Sequence, residues 1–138
     1  MGVSTSKPHP IATKWFPEFE QNLPTLDGKT VCVTGCTTGT GFIVARTAVR
    51  KNASNVVLLN RSSDRATKAE ELLHDEIKSS SSSSKVETIS CDLQDFESVK
   101  EAAKTIQSKY DAIDVLCNNA GMLIQYVYYE RFLPFLLN

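Results

Sequence analysis

Four short apolar runs alternate with segments of helical period, and this alternation is the feature that most limits the fold. The apolar runs cover residues 30–33, 55–60, 86–90 and 113–117, and the helical segments cover 41–51, 63–78 and 96–110. In the last helical segment the apolar stripe consists of Phe96, Val99, Ala103, Ile106 and Tyr110. Strands joined by helices of this length run parallel with right-handed crossovers. The pattern therefore predicts an α/β fold, an open parallel sheet with helices on both faces.

Charge and hydropathy exclude several other classes of protein. The 138 residues carry 15 Lys and Arg against 16 Asp and Glu, so no concentrated positive charge is available for a nucleic acid partner. No apolar run approaches the roughly 18 to 20 residues of a transmembrane helix. None of the four cysteines forms a Cys-x-x-Cys pair, and three lie in or beside apolar runs. This indicates buried reduced thiols and a cytoplasmic location, and it disfavours a metal or redox site.

A glycine-rich turn follows the first predicted strand and opens directly into a helix. Residues 34–41 read Thr-Gly-Cys-Thr-Thr-Gly-Thr-Gly. Glycines let a backbone turn tightly and approach a pyrophosphate, while the free N–H groups of the helix start face the anion. The turn predicts a phosphate site formed by Gly35, Thr38, Gly39, Thr40 and Gly41. The alternative is a glycine turn that serves only the strand-to-helix connection.

Arg61 stands directly after the second predicted strand, 20 residues beyond Gly41. At this place a dinucleotide fold meets the adenosine ribose, where an acid selects NAD and an arginine accommodates the 2′-phosphate of NADP. Arg61 therefore predicts NADP, with NAD the less favoured cofactor. Asp64 is the one nearby acid, and it is positioned to cap the next helix. The alternative for Arg61 is an ordinary solvated loop arginine.

Two further motifs follow the third and fourth predicted strands. Asp92 and Leu93 follow the third strand, and the sequence Asn-Asn-Ala-Gly occupies 118–121 after the fourth. Open α/β sheets bind ligands at the carboxyl ends of their strands. Taken singly, Asp92 or Asp95 could be a helix cap and 119–121 a turn. Taken together, the motifs predict a ligand-binding rim.

These motifs together resemble the short-chain dehydrogenase/reductase family, over about Asp27 to about Leu123. The turn fits that family's Thr-Gly-x-x-x-Gly-x-Gly and 118–121 fits its Asn-Asn-Ala-Gly, while Thr40 departs from its usual apolar residue. The ends of the second and third strands are most similar to the NADP-using, retinol-dehydrogenase-like branch. The resemblance implies a Rossmann-type sheet, an NADP(H) cofactor and hydride transfer between nicotinamide and a carbonyl or alcohol.

The resemblance also implies a role for each remaining residue of the rim. Asp92 and Leu93 would frame the adenine, and Asn119, Ala120 and Gly121 would line the nicotinamide side. Family catalysis depends on a later Ser and a Tyr-x-x-x-Lys pair, but no tyrosine of this sequence has a lysine four residues on. We therefore expect a sheet truncated after its fourth strand and no dehydrogenase activity from these residues alone. The alternative is a catalytically dead nucleotide-binding or protein-interaction module.

The segments outside the motifs divide the sequence into three parts. We expect an arm at 1–27 whose apolar residues cover one edge of the domain, a cofactor-binding half-domain at 28–121, and an apolar tail at 122–138. The six serines at 79–84 predict a flexible solvated loop. The tail either pairs with the fourth strand or is the read-through of a truncated gene model, which we favour because the resemblance stops just after Gly121.

The first residues fit the pattern for N-myristoylation, with Gly2 as the acceptor and Ser6 at the required position. An acylated Gly2 would make the protein peripheral to a membrane, although a single myristoyl chain binds only marginally. The alternative is a plain polar N-terminus. The sequence does not indicate an oligomeric state.

Overall fold

The computed structural model describes residues 15–121, which form a four-stranded parallel sheet with helices on both faces. The elements are α1 (Phe16–Asn22), β1 (Thr30–Thr34), α2 (Gly39–Arg50), β2 (Asn55–Asn60), α3 (Asp64–Ser80), β3 (Lys85–Ser90), α4 (Phe96–Lys109) and β4 (Val115–Cys117). The predicted fold class is confirmed. The short α1 belongs to the predicted arm, and the tail at 122–138 lies outside the described residues.

The strands lie in the order β3-β2-β1-β4, so the centre of the sheet is formed by β1. Val31 of β1 is opposite Val56 of β2 on one side and Val115 of β4 on the other. The chain thus crosses outward from β1 to β3 and then returns to the other side of β1. In open α/β sheets, ligands bind where the strand order reverses in this way.

Each face of the sheet has its own apolar core. On one face α2 and α3 cover the side chains of Val31, Val33 and Leu58, with Leu73 of α3 fully buried. On the other face α4 covers a cluster that includes Cys32, Val57 and Ile89. The side chains of successive strand residues point to opposite faces, so a strand buried on both faces is apolar throughout. This is why Val56, Val57, Leu58 and Leu59 show no alternation.

The starts of α3 and α4 follow ordinary helix capping. Ser63 is the cap of α3, its side-chain oxygen accepting a hydrogen bond from the Ala66 N–H at 3.2 Å. Asp64 is the first residue of that helix, so the expectation that it acts as the cap is wrong. Asp95 caps α4 by accepting from the Glu97 N–H at 3.0 Å. Both caps supply acceptors for N–H groups that the helix itself leaves unpaired.

The predicted apolar stripe of α4 is correct in its middle and wrong at its start. Ile106 is buried, and Val99 and Tyr110 pack against the same cluster. Ala102 rather than Ala103 is buried, and the Phe96 side chain is 82% exposed. Ala102 and Ala103 lie three and four residues after Val99, and both spacings continue a helical stripe. The periodicity alone therefore does not choose between them.

The serine run at 79–84 is an ordered connection, contrary to the prediction of a flexible loop. α3 continues to Ser80, and Ser81 ends it in the left-handed conformation at φ 54°. The Ser82 hydroxyl donates to the Val49 carbonyl at 2.8 Å, and the Ser83 N–H donates to Asn52 Oδ1 at 2.9 Å. Ser84 is buried. The run therefore supplies hydroxyls that bond the end of α2.

α1 is attached to the domain by polar contacts. Glu20 accepts hydrogen bonds from Thr47 at 3.0 Å and from Arg50 at 3.2 Å. Trp15 and Phe19 are 68% and 58% exposed, so these two residues do not cover the domain edge as predicted.

Across residues 15–121, no helix combines the length and apolar character needed to cross a bilayer.

Candidate functional site

A cavity of about 860 Å³ opens at the carboxyl ends of the strands, within the size range of small-molecule sites. Seven of the eleven predicted site residues line it: Gly35, Arg61, Asp92, Leu93, Asn119, Ala120 and Gly121. The other four, Thr38, Gly39, Thr40 and Gly41, form the start of α2. The structure thus brings residues that follow all four strands to one cavity.

The turn between β1 and α2 needs its first two glycines for conformational reasons. Gly35 and Gly39 have φ angles of 62° and 63°, a region that other residues rarely adopt. A Cβ at Gly35 would also lie 2.8 Å from Ala120. Thr38 precedes α2 in an extended conformation and its side chain makes no capping hydrogen bond. The N–H groups of the first turn of α2 therefore donate no hydrogen bond to the Thr38 side chain.

Gly41 differs from the other glycines because it is buried. A Cβ there would meet the Asn119 side chain and would lie 2.7 Å from the Gly35 carbonyl oxygen. The helix can approach the end of β4 only because this position carries no side chain. The structure gives Gly41 a packing role, and its contact with a phosphate stays a prediction.

The end of β4 is hydrogen-bonded to the turn. Asn119 Nδ2 donates to the carbonyl oxygens of Thr34 at 3.1 Å and Gly35 at 3.0 Å. The Ala120 N–H donates to the Thr34 hydroxyl at 2.9 Å. The Asn-Asn-Ala-Gly motif therefore fixes the turn between β1 and α2 as well as lining the cavity. The sequence suggested the motif but not these contacts, which join residues more than 80 positions apart.

The cavity wall after β2 carries two arginines. Arg61 is exposed at the cavity rim, as the sequence predicts. Arg65, in the first turn of α3, also lines the cavity and was missed. Its sequence signal is its place in the first turn of a helix that begins beside the predicted ribose site. Two guanidinium groups at one rim favour an anionic group there.

The wall after β3 is shaped by a local turn. The Asp92 N–H donates to the Ser98 hydroxyl at 2.9 Å, while Asp92 Oδ1 accepts from the Gln94 N–H at 3.0 Å. This leaves Asp92 half-buried at the cavity, with Leu93 beside it and 54% exposed. An apolar side chain next to a carboxylate is a suitable surface for a flat heterocycle with exocyclic donors.

Cys36 lies directly after Gly35, in the turn between β1 and α2. It is fully buried, and desolvation raises the pKa of its thiol to about 11. The thiol is therefore neutral at pH 7 and adds no negative charge to the turn. The same protonation makes it a poor nucleophile.

A smaller depression of about 370 Å³ lies along α3 and shares Ser62 and Ser63 with the main cavity. Its wall carries Glu70, Glu71 and His74. Two carboxylates would repel a phosphate, so this depression is a poor extension of an anion site.

Comparison with known proteins identifies the family of this chain. The family model for short chain dehydrogenase matches residues 29–133. The chain belongs to the short chain dehydrogenase family. The match continues ten residues past Leu123, so the expectation that the resemblance stops just after Gly121 is wrong. The segment at 122–133 is itself part of the family match.

Curated relatives of this family member include oxidoreductases from a fungus and a bacterium. An uncharacterized oxidoreductase of Schizosaccharomyces pombe is 36% identical over 102 residues, covering 74% of this chain and 29% of that protein. A 3beta-hydroxysteroid dehydrogenase of Mediterraneibacter gnavus is 33% identical over 97 residues, covering 70% of this chain and 33% of that protein. The chain spans about a third of the length of the curated relatives it matches.

Solved structures of reductases share the fold of this chain. The C-domain of a bacterial malonyl-CoA reductase, solved with NADP, has a TM-score of 0.64 at 28% identity and covers 75% of this chain and 16% of that one. Menthone neomenthol reductase from Mentha piperita has a TM-score of 0.60 at 29% identity and covers 68% of this chain and 32% of that one.

Proposed function

We propose that this chain binds NADP(H) as the cofactor-binding part of a short-chain dehydrogenase/reductase. One observation carries the proposal: a single cavity is lined by residues after β4, by Arg61 and by the turn at residues 35–38, which we call the phosphate turn. The strand before Arg61 ends in Asn60 and has no acid for a ribose 2′-hydroxyl. The malonyl-CoA reductase domain solved with NADP supports the choice of cofactor.

The residues fit the parts of the dinucleotide in order. The pyrophosphate would lie against Thr38, Gly39 and Thr40 at the start of α2, in the open space beside Gly39. Arg61 would pair with the 2′-phosphate, with Arg65 beside it. Asp92 and Leu93 would frame the adenine. Asn119, Ala120 and Gly121 would lie along the nicotinamide side.

The proposed parent reaction is hydride transfer between nicotinamide and a carbonyl or alcohol. The bound nicotinamide would donate the hydride to a carbonyl or accept it from an alcohol, and a separate acid or base is needed to move the proton. In the family, that group is a tyrosine with a lysine four residues later. None of the four tyrosines here has this lysine. We therefore propose that these 138 residues bind the cofactor without turning over a substrate.

Titration of the purified chain with NADPH and NADH, followed by nucleotide fluorescence, tests the cofactor. We expect NADPH to bind more tightly, and Arg61→Ala to weaken NADPH binding by roughly tenfold or more, since a charge-assisted hydrogen bond is lost. Lys68→Ala is the control, because Lys68 pairs with Glu71 and is not among the residues that line the cavity. Tighter binding of NADH would contradict the role of Arg61, and binding of neither nucleotide would contradict the proposal.

A second candidate function is a protein-interaction module that acts through the edge of the sheet. One observation favours it: Val115 and Leu116 of β4 are 42% and 52% exposed. An apolar edge strand is able to accept another strand. The same titration separates the two functions, because an interaction module needs no nucleotide.

We also propose a cytoplasmic location. The three buried free thiols in the described residues, Cys32, Cys36 and Cys91, support a reducing compartment. Gly2 lies outside the described residues, so its acylation stays a prediction. The intact mass of the native protein tests it, and a mass without a myristoyl increment would contradict it.

A further inference from the structure

We propose that Asn60 is a positioning residue of the cofactor site, whose carboxamide holds the phosphate turn against the end of β2. This inference rests on the proposed function for the identity of the ligand. From the β4 side, the Asn119 side chain holds the start of the same turn by donating to the backbone carbonyl oxygens of Thr34 and Gly35. The turn is thus fixed between two carboxamides from the two strands that flank β1.

The contact of Asn60 with the turn is buried and specific. Asn60 is 3% exposed, and its Oδ1 accepts the Cys36 N–H at 2.9 Å. Its Nδ2 lies 3.4 Å from Cys36 Sγ, within hydrogen-bond range for sulfur. The preceding residue, Leu59, accepts the Gly35 N–H at 3.1 Å through its carbonyl. The first two residues of the turn are therefore bonded to the last two residues of β2.

Asn60 also joins the other two parts of the site. Its carbonyl oxygen accepts the Cys91 N–H at 2.9 Å, and Asp92 follows directly. Arg61 is its next neighbour in sequence. One residue thus fixes the relative positions of the phosphate turn, the 2′-phosphate arginine and the proposed adenine wall.

The chemistry of the position requires a carboxamide or an equivalent acceptor. Val56, Val57, Leu58 and Leu59 make up the rest of the buried part of β2, and all four are apolar. An apolar residue at 60 would leave the buried Cys36 N–H without this acceptor, and the turn would move to find another. An aspartate would keep the acceptor but would add a negative charge beside the arginine.

The experiment measures NADPH and NADH binding to Asn60→Ala and Asn60→Asp. The matched control is Asn55→Ala, which removes a carboxamide from the other end of the same strand, where Asn55 Nδ2 donates to Thr30 at 3.1 Å. We expect Asn60→Ala to weaken both nucleotides by a similar factor, roughly tenfold, because both share the pyrophosphate. Asn55→Ala should leave both affinities within about twofold.

Asn60→Asp separates the positioning of the turn from the charge at this position. We expect it to recover most of the NADH affinity, since the Cys36 N–H regains its acceptor, while NADPH binding stays weak because the carboxylate repels the 2′-phosphate. Amide hydrogen exchange gives a readout without nucleotide: the Cys36 amide should exchange faster in Asn60→Ala and at the wild-type rate in Asn55→Ala. If Asn60→Ala does not fold, Asn60→Asp carries the test.

If the wild-type chain binds NADPH, either of two results would overturn this inference and leave the proposed function intact. In the first, Asn60→Ala binds both nucleotides as wild type does, or loses no more affinity than Asn55→Ala. In the second, Asn60→Asp fails to regain NADH binding although the protein is folded. Wild-type chain that binds neither nucleotide would overturn the proposed function and this inference with it.

Discussion

The Asn119 side chain fills the space that a side chain at Gly41 would need. A Cβ at Gly41 would meet this carboxamide and would lie 2.7 Å from the Gly35 carbonyl oxygen, to which Asn119 Nδ2 donates at 3.0 Å. Helix α2, the phosphate turn and the end of β4 therefore meet at one closely packed point. The position of the helix start is set by this contact.

Gly41→Ala should destabilise the folded chain by about 1–3 kcal/mol, the usual cost of adding a carbon to a packed site. Nucleotide affinity should fall as well, because the start of α2 must shift. Urea unfolding measures the first effect and titration with NADPH the second. The control for stability is Gly121→Ala, since a Cβ there meets nothing within 4 Å among residues 15–121. Equal stability of the two variants would contradict the packing role of Gly41.

Cysteine labelling in the folded chain should be selective. Cys117 is half-buried, whereas Cys32, Cys36 and Cys91 are buried. Burial raises the pKa of each of these three thiols, so they are protonated at pH 8 and react slowly. We expect iodoacetamide to modify Cys117 first and all four cysteines only after unfolding, as read by peptide mass spectrometry. Early modification of Cys36 would show that the turn opens.

Acid stability should depend on Asp114, which directly precedes β4 and whose carboxyl accepts a hydrogen bond from Thr30 at the start of β1. The Lys29 ammonium and the Thr30 N–H hold the pKa of the Asp114 carboxyl below its ordinary value of 3.8. The unfolded chain therefore binds the proton first, so the contribution is present above pH 3.8 and is lost as the pH falls below it. Asp114→Asn should flatten this part of the stability curve, measured by urea unfolding at several pH values.

Lys29→Gln provides the comparison for that prediction. It removes the ammonium but keeps the hydrogen bond from the Thr30 N–H to Asp114 Oδ2, which is 2.8 Å long. Its stability curve should lie between those of wild type and Asp114→Asn. An unchanged acid limb in Asp114→Asn would mean that this carboxyl does not contribute to the pH dependence.

Ser81→Gly should stabilise the chain by about 0.5–1 kcal/mol, because glycine adopts the left-handed helix end without steric cost. Ser80→Gly, one residue earlier and inside α3, should destabilise it by about 0.5–1 kcal/mol. Urea unfolding of the two variants measures both changes. Opposite signs would support the ordered helix end, whereas two neutral substitutions would indicate that the serine run is flexible.

The sequence predicts the elements of the fold well because each carries a local signal. Asn55–Asn60 has the bounds that its unbroken apolar run indicates, and the glycines mark the turn before α2. Helix starts are less certain: α2 begins at Gly39, two residues before the expected start. A glycine at the start of a helix looks like part of the loop, since its helix propensity is low.

The interactions that shape the site are less visible in the sequence. Asn60 and Cys36 are 24 positions apart, and Asn119 and Gly35 are 84 apart. No periodic pattern marks such a pair, because each contact depends on the strand order. The prediction of a flexible loop at the serines 82 and 84 is wrong for the same reason. A serine run alone resembles a linker, and its sequence does not show that the acceptor of these hydroxyls lies on the end of α2.

The strand order also sets the order in which the parts of the site can form during protein synthesis. β1 can pair with β2 once residue 60 has left the ribosome, but its pairing with β4 joins Val31 to Val115. Closing the longer loop costs about 1 kcal/mol more in chain entropy, and the phosphate turn is complete only when Asn119 arrives. A growing chain therefore has a partial sheet long before it has the complete cavity. A ligand of this cavity would stabilise only the later, fully assembled form.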